Sequence, residues 1–386
     1  MTTAAAARAD VIVIGGGIAG ASAACEIADA AEVILLEREA HCGYHATGRS
    51  AASFTENYGT ATVRRLAIAG RGFFENPPPG FAEHPLVRPR GMITVARRDQ
   101  LAALEAELER ARRFVPSIRS MARAEALGLV PVLRADYLAE AIFEPHSLDI
   151  DVHGLHQGYL RGMKARGGRI ITDAEIEAIE HGAGRWSVGT RAGRFEAQHL
   201  VNAAGAWADE IARKAGLRPL GLQPKRRTAF TIDPPPGAAI DAWPLVNDIG
   251  EEFYFKPDAG QIMVSPADAE PSLPTDAQAE ELDVAIGVDR LQQATSIVVT
   301  RVNRKWAGLR TFARDGNPIV GEDPAARGFF WLAGQGGYGV KTAPALSRIL
   351  AGLVLTGSLP AAAEMAGVSA EELSPRRFAA AILSPD

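Results

Sequence analysis

The sequence predicts a mixed fold, α/β plus α+β. A parallel-sheet unit assembled from discontinuous segments is joined to a unit built on an antiparallel sheet. Three observations predict it. Residues 10–20 read Asp-Val-Ile-Val-Ile-Gly-Gly-Gly-Ile-Ala-Gly, apolar β-formers running into glycines spaced G-x-G-x-x-G. A second glycine-rich junction, Gly334-Gln-Gly-Gly-Tyr-Gly339, follows the apolar run Phe329-Phe-Trp-Leu-Ala333 near the other end of the chain. Between them, residues 221–306 break into short strand-like runs separated by Pro224, Pro234–Pro236, Pro257 and Pro274, the punctuation of an antiparallel sheet.

The first junction carries a specific chemistry. Gly15 permits a tight strand-to-helix turn, Gly17 lets a backbone approach a pyrophosphate, and Gly20 lets the helix pack closely on the sheet. A helical stretch over 19–30 then aims its free N–H groups and dipole at the phosphates. The strand Val33–Leu36 ends on Glu37, where an acid can bind both hydroxyls of an adenosine ribose. Strand, glycines, helix, strand and acid in this order read as a dinucleotide site. A glycine-rich turn in an ordinary α/β domain is the alternative.

Composition bounds the rest. The chain has 386 residues, 47% hydrophobic and 23% charged, enough for about two to three domains' worth of core and in the range of soluble globular proteins. A formal charge of −5 gives no electrostatic reason to expect nucleic acid or an anionic membrane as a partner. No run approaches the ~18 apolar residues of a membrane span. The alanine-rich start, residues 1–8, lacks the basic region and apolar core of a signal peptide and reads as a disordered lead-in. Cys25 and Cys42 make neither a disulfide framework nor a metal cluster, and Cys25 reads as a small buried hydrophobe on the first helix. No metal is expected, and the cytoplasm fits.

In chain order, a polar, small-residue stretch over 43–59 follows Glu37 and is read as lining the cofactor. A helix over 62–74 ends at Asn76-Pro-Pro-Pro-Gly80. Residues 91–96 alternate like a strand, and apolar residues at helical spacing make 99–115 an amphipathic helix, with a short helix over 122–127. Asp151 reads as the N-cap of a helix running to Arg166 and closed by Gly167-Gly168. Strands are expected at 169–172, 186–190 and 194–200, the last running into Val201-Asn-Ala-Ala-Gly205-Ala-Trp207. Then come strands at 228–232, 253–255 and 262–265, a helix over 277–295, the strand at 328–333 and a helix from about 342 to 355. Two distant glycine junctions on one ligand suit the long FAD molecule better than NAD.

These residues together resemble the glycine/D-amino-acid oxidase-type flavoprotein family, nearest to its D-arginine dehydrogenase branch. The resemblance rests on the blocks 43–52, 73–85, 155–161, 201–207, 220–227, 306–310 and 335–339. It implies a Rossmann-like, non-covalent FAD-binding domain made of residues 9–88, 148–221 and 306–386. The remaining residues, 89–147 and 222–305, would form a substrate domain whose antiparallel sheet roofs the flavin. Around Gly15, Gly17 and Gly20 the implied cofactor contacts are Ile18, Ala19, Glu37 and Arg38. The following loop adds Thr47, Gly48, Arg49, Ser50 and Ala52, and the third segment Ala204, Gly205 and Trp207. The last junction adds Gly336, Gly337, Tyr338, Gly339, Lys341 and Thr342.

The implied reaction is removal of a hydride from the Cα of a D-amino acid to flavin N5, leaving an imino acid that becomes a 2-oxo acid and ammonia. Arg227 and Arg310 match the family's carboxylate-binding arginines, and arginine's planar fork suits that role. A solvated basic cluster is the plainer reading of Arg227. Tyr58 and Tyr254 match active-site tyrosines, although Tyr254 between Phe253 and Phe255 also suits a core strand. The Gly337 carbonyl matches a contact to the substrate amine. Where the family carries a histidine, this chain has Ser53, which can relay a proton through water, and His45 is read as a structural histidine. A family glutamate that holds a guanidinium is replaced by Gly91, and a neutral glutamine by Lys341, which disfavours cationic substrates. The expected activity is therefore a D-amino-acid dehydrogenase not tuned for D-arginine, passing electrons to a quinone or dye-like acceptor rather than oxygen. A glycine/sarcosine-type amine oxidase, a flavin-dependent tRNA-modification module and a non-catalytic flavoprotein subunit are the alternatives.

Overall fold

The structure, a computed structural model, describes residues 6–378. Its first layer is a six-stranded sheet in the order Arg169–Ile171, Val33–Leu36, Val11–Ile14, His199–Asn202, Phe329–Ala333, Ile319–Glu322. The first five strands are parallel and the last is antiparallel. Val11–Ile14 and Val33–Leu36 are buried along their whole length, as strands covered on both faces must be. Val11, Val13 and Leu35 pack with residues of the helices Ile18–Ile27, Val152–Ala165 and Gly339–Leu355. The alternate residues Ile12, Ile14 and Ile34 pack the other way, with Ile176, Trp186, Val188 and Phe195 of a smaller four-stranded sheet. Full burial of each such side chain contributes about 1.5–3 kcal/mol. Helix entry is fixed locally: the Thr60 hydroxyl accepts from Val63 N at 3.2 Å, and Asp151 caps its helix by accepting from Gly154 N at 2.8 Å.

The second layer is a ten-stranded, mostly antiparallel sheet. Its centre runs Arg304–Phe312, Gln223–Ile232, Gln261–Ser265, Tyr254–Asp258, Leu245–Asp248, Met92–Ala96, Glu140–Glu144. One face buries Ile93, Val95, Phe230, Val246, Phe253, Phe255 and Val264 with residues of the helix Glu281–Ala294. The alternate residues form two rows on the opposite face. Tyr254 pairs with Asn247, Asn247 with Thr94, and Thr94 with Ile142; beside them Leu245 pairs with Met92, and Met92 with Glu144. The period of two thus sends aromatic and aliphatic residues into a core and leaves a mixed polar surface on the other side.

Several elements differ from the sequence expectation. The strand expected at 194–200 is two strands, Gly193–Ala197 and His199–Asn202, which turn at Gln198 into different sheets. The helix expected from 277 begins at Glu281, and residues 98–100 form a separate 3-10 turn before the helix Leu101–Arg112. Of the lead-in, residues 1–5 lie outside the described region, whereas Ala7–Arg8 pairs in parallel with the strand Gly193–Ala197. Among the described residues no helix is long and apolar enough to cross a membrane.

Candidate active site

Two cavities adjoin between the sheets. They meet where Arg49 and Gly336 line one and Ser50 and Gly337 line the other.

The first cavity, about 200 Å³, is built on the glycine loop. Gly15 has φ +105° and its N–H donates to Leu36 O at 2.8 Å. A Cβ on Gly20 would lie 1.8 Å from Gly15 O, so helix and loop touch where only glycine fits. The helix Ile18–Ile27 has no side-chain cap on its N-cap residue Gly17, and Thr47 Oγ1 accepts from Ile18 N at 2.9 Å. The helix Gly339–Leu355 likewise begins without a side-chain cap. Gly15, Gly17, Ile18, Ala19, Gly336 and Gly339 from these two helix starts line the cavity. Glu37 also lines it, with one carboxyl oxygen accepting from Gly16 N at 2.7 Å and the other from Glu39 N at 2.9 Å. Burial outweighs those bonds and raises its pKa.

Ala204, Gly205 and Trp207 line the same cavity. The Arg38 guanidinium lies 4.9 Å from the centre of the Trp207 ring, and the His45 ring 4.6 Å from it. His45 Nδ1 is a buried nitrogen with no hydrogen-bond partner. Arg49 donates to the carbonyls of Ala277 at 2.8 Å and Ala307 at 3.1 Å, and pairs with Asp276. Beneath the loop, buried His156 bonds through Nε2 to Gly16 O at 2.8 Å, and burial lowers its pKa. No separate signal marked His156, which lies inside a block used only for the resemblance.

The second cavity, about 590 Å³, lies over the polar face of the large sheet. Arg310 Nη2 donates to the Tyr254 hydroxyl at 3.5 Å, and the Arg227 guanidinium lies 6.0 Å from the Tyr254 ring. Arg227 is oriented by donating through Nε to Asp268 O at 2.6 Å. Burial acts to raise the Tyr254 pKa, but the charges of Arg310 and Arg227 outweigh it and bring the phenol below its ordinary value. Gly337 stands against Arg310: a Cβ there would lie 2.9 Å from Nη1. Tyr58 and Tyr338, rings 5.2 Å apart, complete this end, and burial raises the pKa of both. Ser50, Ala52 and Ser53 line the same cavity. The Ser53 hydroxyl donates to Leu148 O at 3.2 Å.

Four expected site residues line neither cavity: Gly20, Gly48, Gly91 and Thr342. Gly20 acts through helix packing. Gly48 N donates to Gly43 O at 2.8 Å, and Thr342 Oγ1 to Tyr338 O at 2.8 Å. Gly91 packs against Phe143, and its neighbour Met92 reaches the cavity instead. The acid expected to be missing at Gly91 has a counterpart elsewhere in the fold. Buried Glu144, opposite Met92, lines the cavity and accepts from the Thr55 hydroxyl at 2.8 Å. Lys341 Nζ donates to the carbonyls of Thr55 at 2.8 Å and Tyr58 at 2.7 Å. Burial pushes Glu144 up to about 7 and Lys341 down to about 7. Sequence reasoning missed Glu144, although an acid ending the short apolar run Ala141-Ile-Phe143 was the available signal.

These cavities fit an extended two-part cofactor. Two helix starts whose own N-cap residues give no side-chain cap suit phosphates, Glu37 stands at the end of its strand, and His45 lines the same cavity. The family model described as "DAO: FAD dependent oxidoreductase" matches residues 10–353. The glycine oxidase of Geobacillus kaustophilus (strain HTA426) is 24% identical over 366 residues, covering 90% of this chain and 93% of that protein. The crystal structure of L-proline dehydrogenase from P. horikoshii superposes with a TM-score of 0.84 at 19% identity, covering 98% and 99% of the two chains. That of iminodiacetate oxidase from Chelativorans sp. BNC1 gives 0.80 at 23% identity, covering 95% and 98%.

Proposed function

The chain belongs to the DAO family of FAD-dependent oxidoreductases, and from that premise we propose a D-amino-acid dehydrogenase not tuned for D-arginine. The observation that carries the reading is the convergence of Arg227, Arg310 and Tyr254 at one end of the second cavity. Two guanidiniums beside a phenol make a receptor for an α-carboxylate, which arginine can bind through two parallel hydrogen bonds. FAD, bound without a covalent link by the glycine loop of Gly15 and Gly17, by Glu37 and by the wall of Ala204, Gly205 and Trp207, would supply the two-electron acceptor for oxidation of the amine-bearing Cα–H.

The chain's own residues bind and orient. Arg310 and Arg227 fix the carboxylate, and the Gly337 carbonyl, beside Arg310, accepts from the substrate amine. That amine must be neutral when the Cα–H breaks, because an ammonium has no lone pair to stabilise the forming imine. Ser53, on the wall of the same cavity, relays the released proton through water.

The acceptor in this reading is quinone- or dye-like. Residues 9–88, 148–221 and 306–386 serve the cofactor, and 89–147 and 222–305 serve the substrate. Two free thiols, Cys25 and Cys42, support residence in the reducing cytoplasm.

A glycine- or sarcosine-type oxidase is the second reading, supported by the match to a glycine oxidase along most of both chains. An anaerobic panel of D- and L-amino acids, glycine and sarcosine, read as loss of oxidised-flavin absorbance, tests the assignment. Reduction by D-isomers, with turnover on a dye faster than on oxygen, is expected. Reduction by L-isomers alone, or by glycine and sarcosine alone, overturns it.

A further inference from the structure

We infer that Glu144 forms a distal subsite selecting amino acids whose side chain is long and ends in a neutral hydrogen-bond donor, as in glutamine. This rests on the proposed function and names its substrate class.

The subsite is part of the sheet face that also carries the carboxylate clamp. Tyr254 is on the strand Tyr254–Asp258 and Glu144 on the strand Glu140–Glu144, three strands away through Leu245–Asp248 and Met92–Ala96. Strands lie about 4.8 Å apart, and the two positions are one row apart, two residues or about 6.8 Å along the strand, so an untwisted sheet would separate them by ~16 Å, less where it curls. A glutamine-length side chain, with a hydrogen bond at each end, suits such a span; a serine-length one does not. The floor between is Asn247, Met92 and Thr94, all lining the cavity.

Glu144 is 5% exposed. Its Oε2 accepts from the Thr55 hydroxyl at 2.8 Å, and among the described residues no donor reaches its other oxygen. A buried carboxyl with one free acceptor on a cavity wall is a costly feature unless a ligand group completes it.

The surrounding charges decide which donor. Lys341, on the helix Gly339–Leu355, and Arg64, on the helix Ala61–Glu75, face the same region of the cavity. Glu107, on the helix Leu101–Arg112, is paired with Arg64 at 3.2 Å. The chain leading to Tyr58 adds Glu56, whose charge also acts on Glu144 and Lys341. A cationic side chain would therefore meet Lys341 and Arg64 as it approached Glu144. An anionic one would meet Glu144 itself. An amide N–H completes the acceptor without either repulsion. An apolar side chain leaves it empty, and a site with an unfilled buried polar group discriminates strongly against such a ligand.

The test compares kcat/KM of the holoenzyme, with a dye acceptor, for D-glutamine and the similarly sized D-methionine, alongside D-lysine and D-glutamate. The expected result is a preference for D-glutamine of tenfold or more over each of the others. In Glu144→Gln the D-glutamine to D-methionine ratio falls at least fivefold, through the KM of D-glutamine rather than kcat. A wild-type ratio near one, a faster D-lysine or D-glutamate, or an unchanged ratio in Glu144→Gln overturns the subsite. The wild-type comparison decides even if the variant fails to fold. Where L-isomers alone reduce the flavin, the stereochemical reading fails and L-glutamine against L-methionine decides the subsite. No reduction by either hand overturns both.

Discussion

Arg310 and Tyr254 meet edge to edge, the Arg310 Nη2 donating to the Tyr254 hydroxyl at 3.5 Å. The contact ties two strands of one sheet, Arg304–Phe312 and Tyr254–Asp258, that are separated in the sheet by two others. Both side chains leave the polar face, so the sheet itself sets the distance between cation and phenol. Such placement on a rigid element is what holds a binding group ready for its ligand.

Replacing Arg310 tests the cation directly. A hydrogen bond to a charged group contributes about 1.5–3 kcal/mol, and ~1.4 kcal/mol is a factor of ten. Arg310→Met should therefore lower kcat/KM for an amino acid by roughly ten- to a hundredfold, mostly through KM. Steady-state kinetics on protein with full flavin content checks it. An unchanged KM would remove Arg310 from the clamp.

Gly337→Ala tests the approach from the other side. The added Cβ would meet the Arg310 guanidinium at 2.9 Å, and a flexible side-chain end yields more easily than backbone. The folded protein should survive while Arg310 shifts, so kcat/KM falls on the order of tenfold for one misplaced charged bond. A thermal melt matching the wild type, with the loss confined to kinetics, is the expected pair of observations. A fall in melting temperature without a kinetic change would point to packing instead.

Gly20→Ala should behave oppositely. Its Cβ would lie 1.8 Å from the Gly15 carbonyl oxygen, backbone that cannot step aside without opening the loop. Overpacking a close contact costs about 1–3 kcal/mol, and here the strain falls on the cofactor loop. Purified variant should carry less flavin per chain and melt lower. Full flavin content would contradict the role given to this helix–loop contact.

Glu144 gives a pH prediction. Burial raises its pKa from an ordinary 4.5 to about 7, so between those values the folded chain holds a proton that the unfolded chain has lost. The stability this contributes is fully present below about pH 4.5 and is lost as pH rises through about 7. Glu144→Gln lacks the titration, so its melting temperature relative to wild type should climb from pH 5 to pH 7.5. A flat difference across that interval would contradict the buried, raised carboxyl.

How much of this was legible in the sequence differs by element. The glycine loop was, because Gly15, Gly17 and Gly20 are local requirements of one turn and one helix contact. The strand Arg304–Phe312 entered through the block 306–310, and Arg304, Lys305 and Arg310 interrupt its apolar pattern. Those charges are tolerated where one face of the sheet is a polar cavity wall. Asp151 as a helix cap was readable for the same local reason as the loop. The pairing of Met92 with Glu144 was not. It depends on a cross-strand register between segments about 50 residues apart, which no spacing within either segment encodes. Lys341 was found near the site, yet the groups that receive its charge, the Thr55 and Tyr58 carbonyls and Glu144, come from one loop and one strand far from it in sequence.

The most direct measurement of the carboxylate clamp mixes holoenzyme anaerobically with D-methionine or with its decarboxylated analogue, 3-(methylthio)propylamine. The two share side chain and amine and differ only in the group assigned to Arg227 and Arg310. The account predicts that D-methionine bleaches the flavin and that the amine, at equal concentration, leaves it oxidised over the same interval. Equal rates of bleaching by both would contradict it.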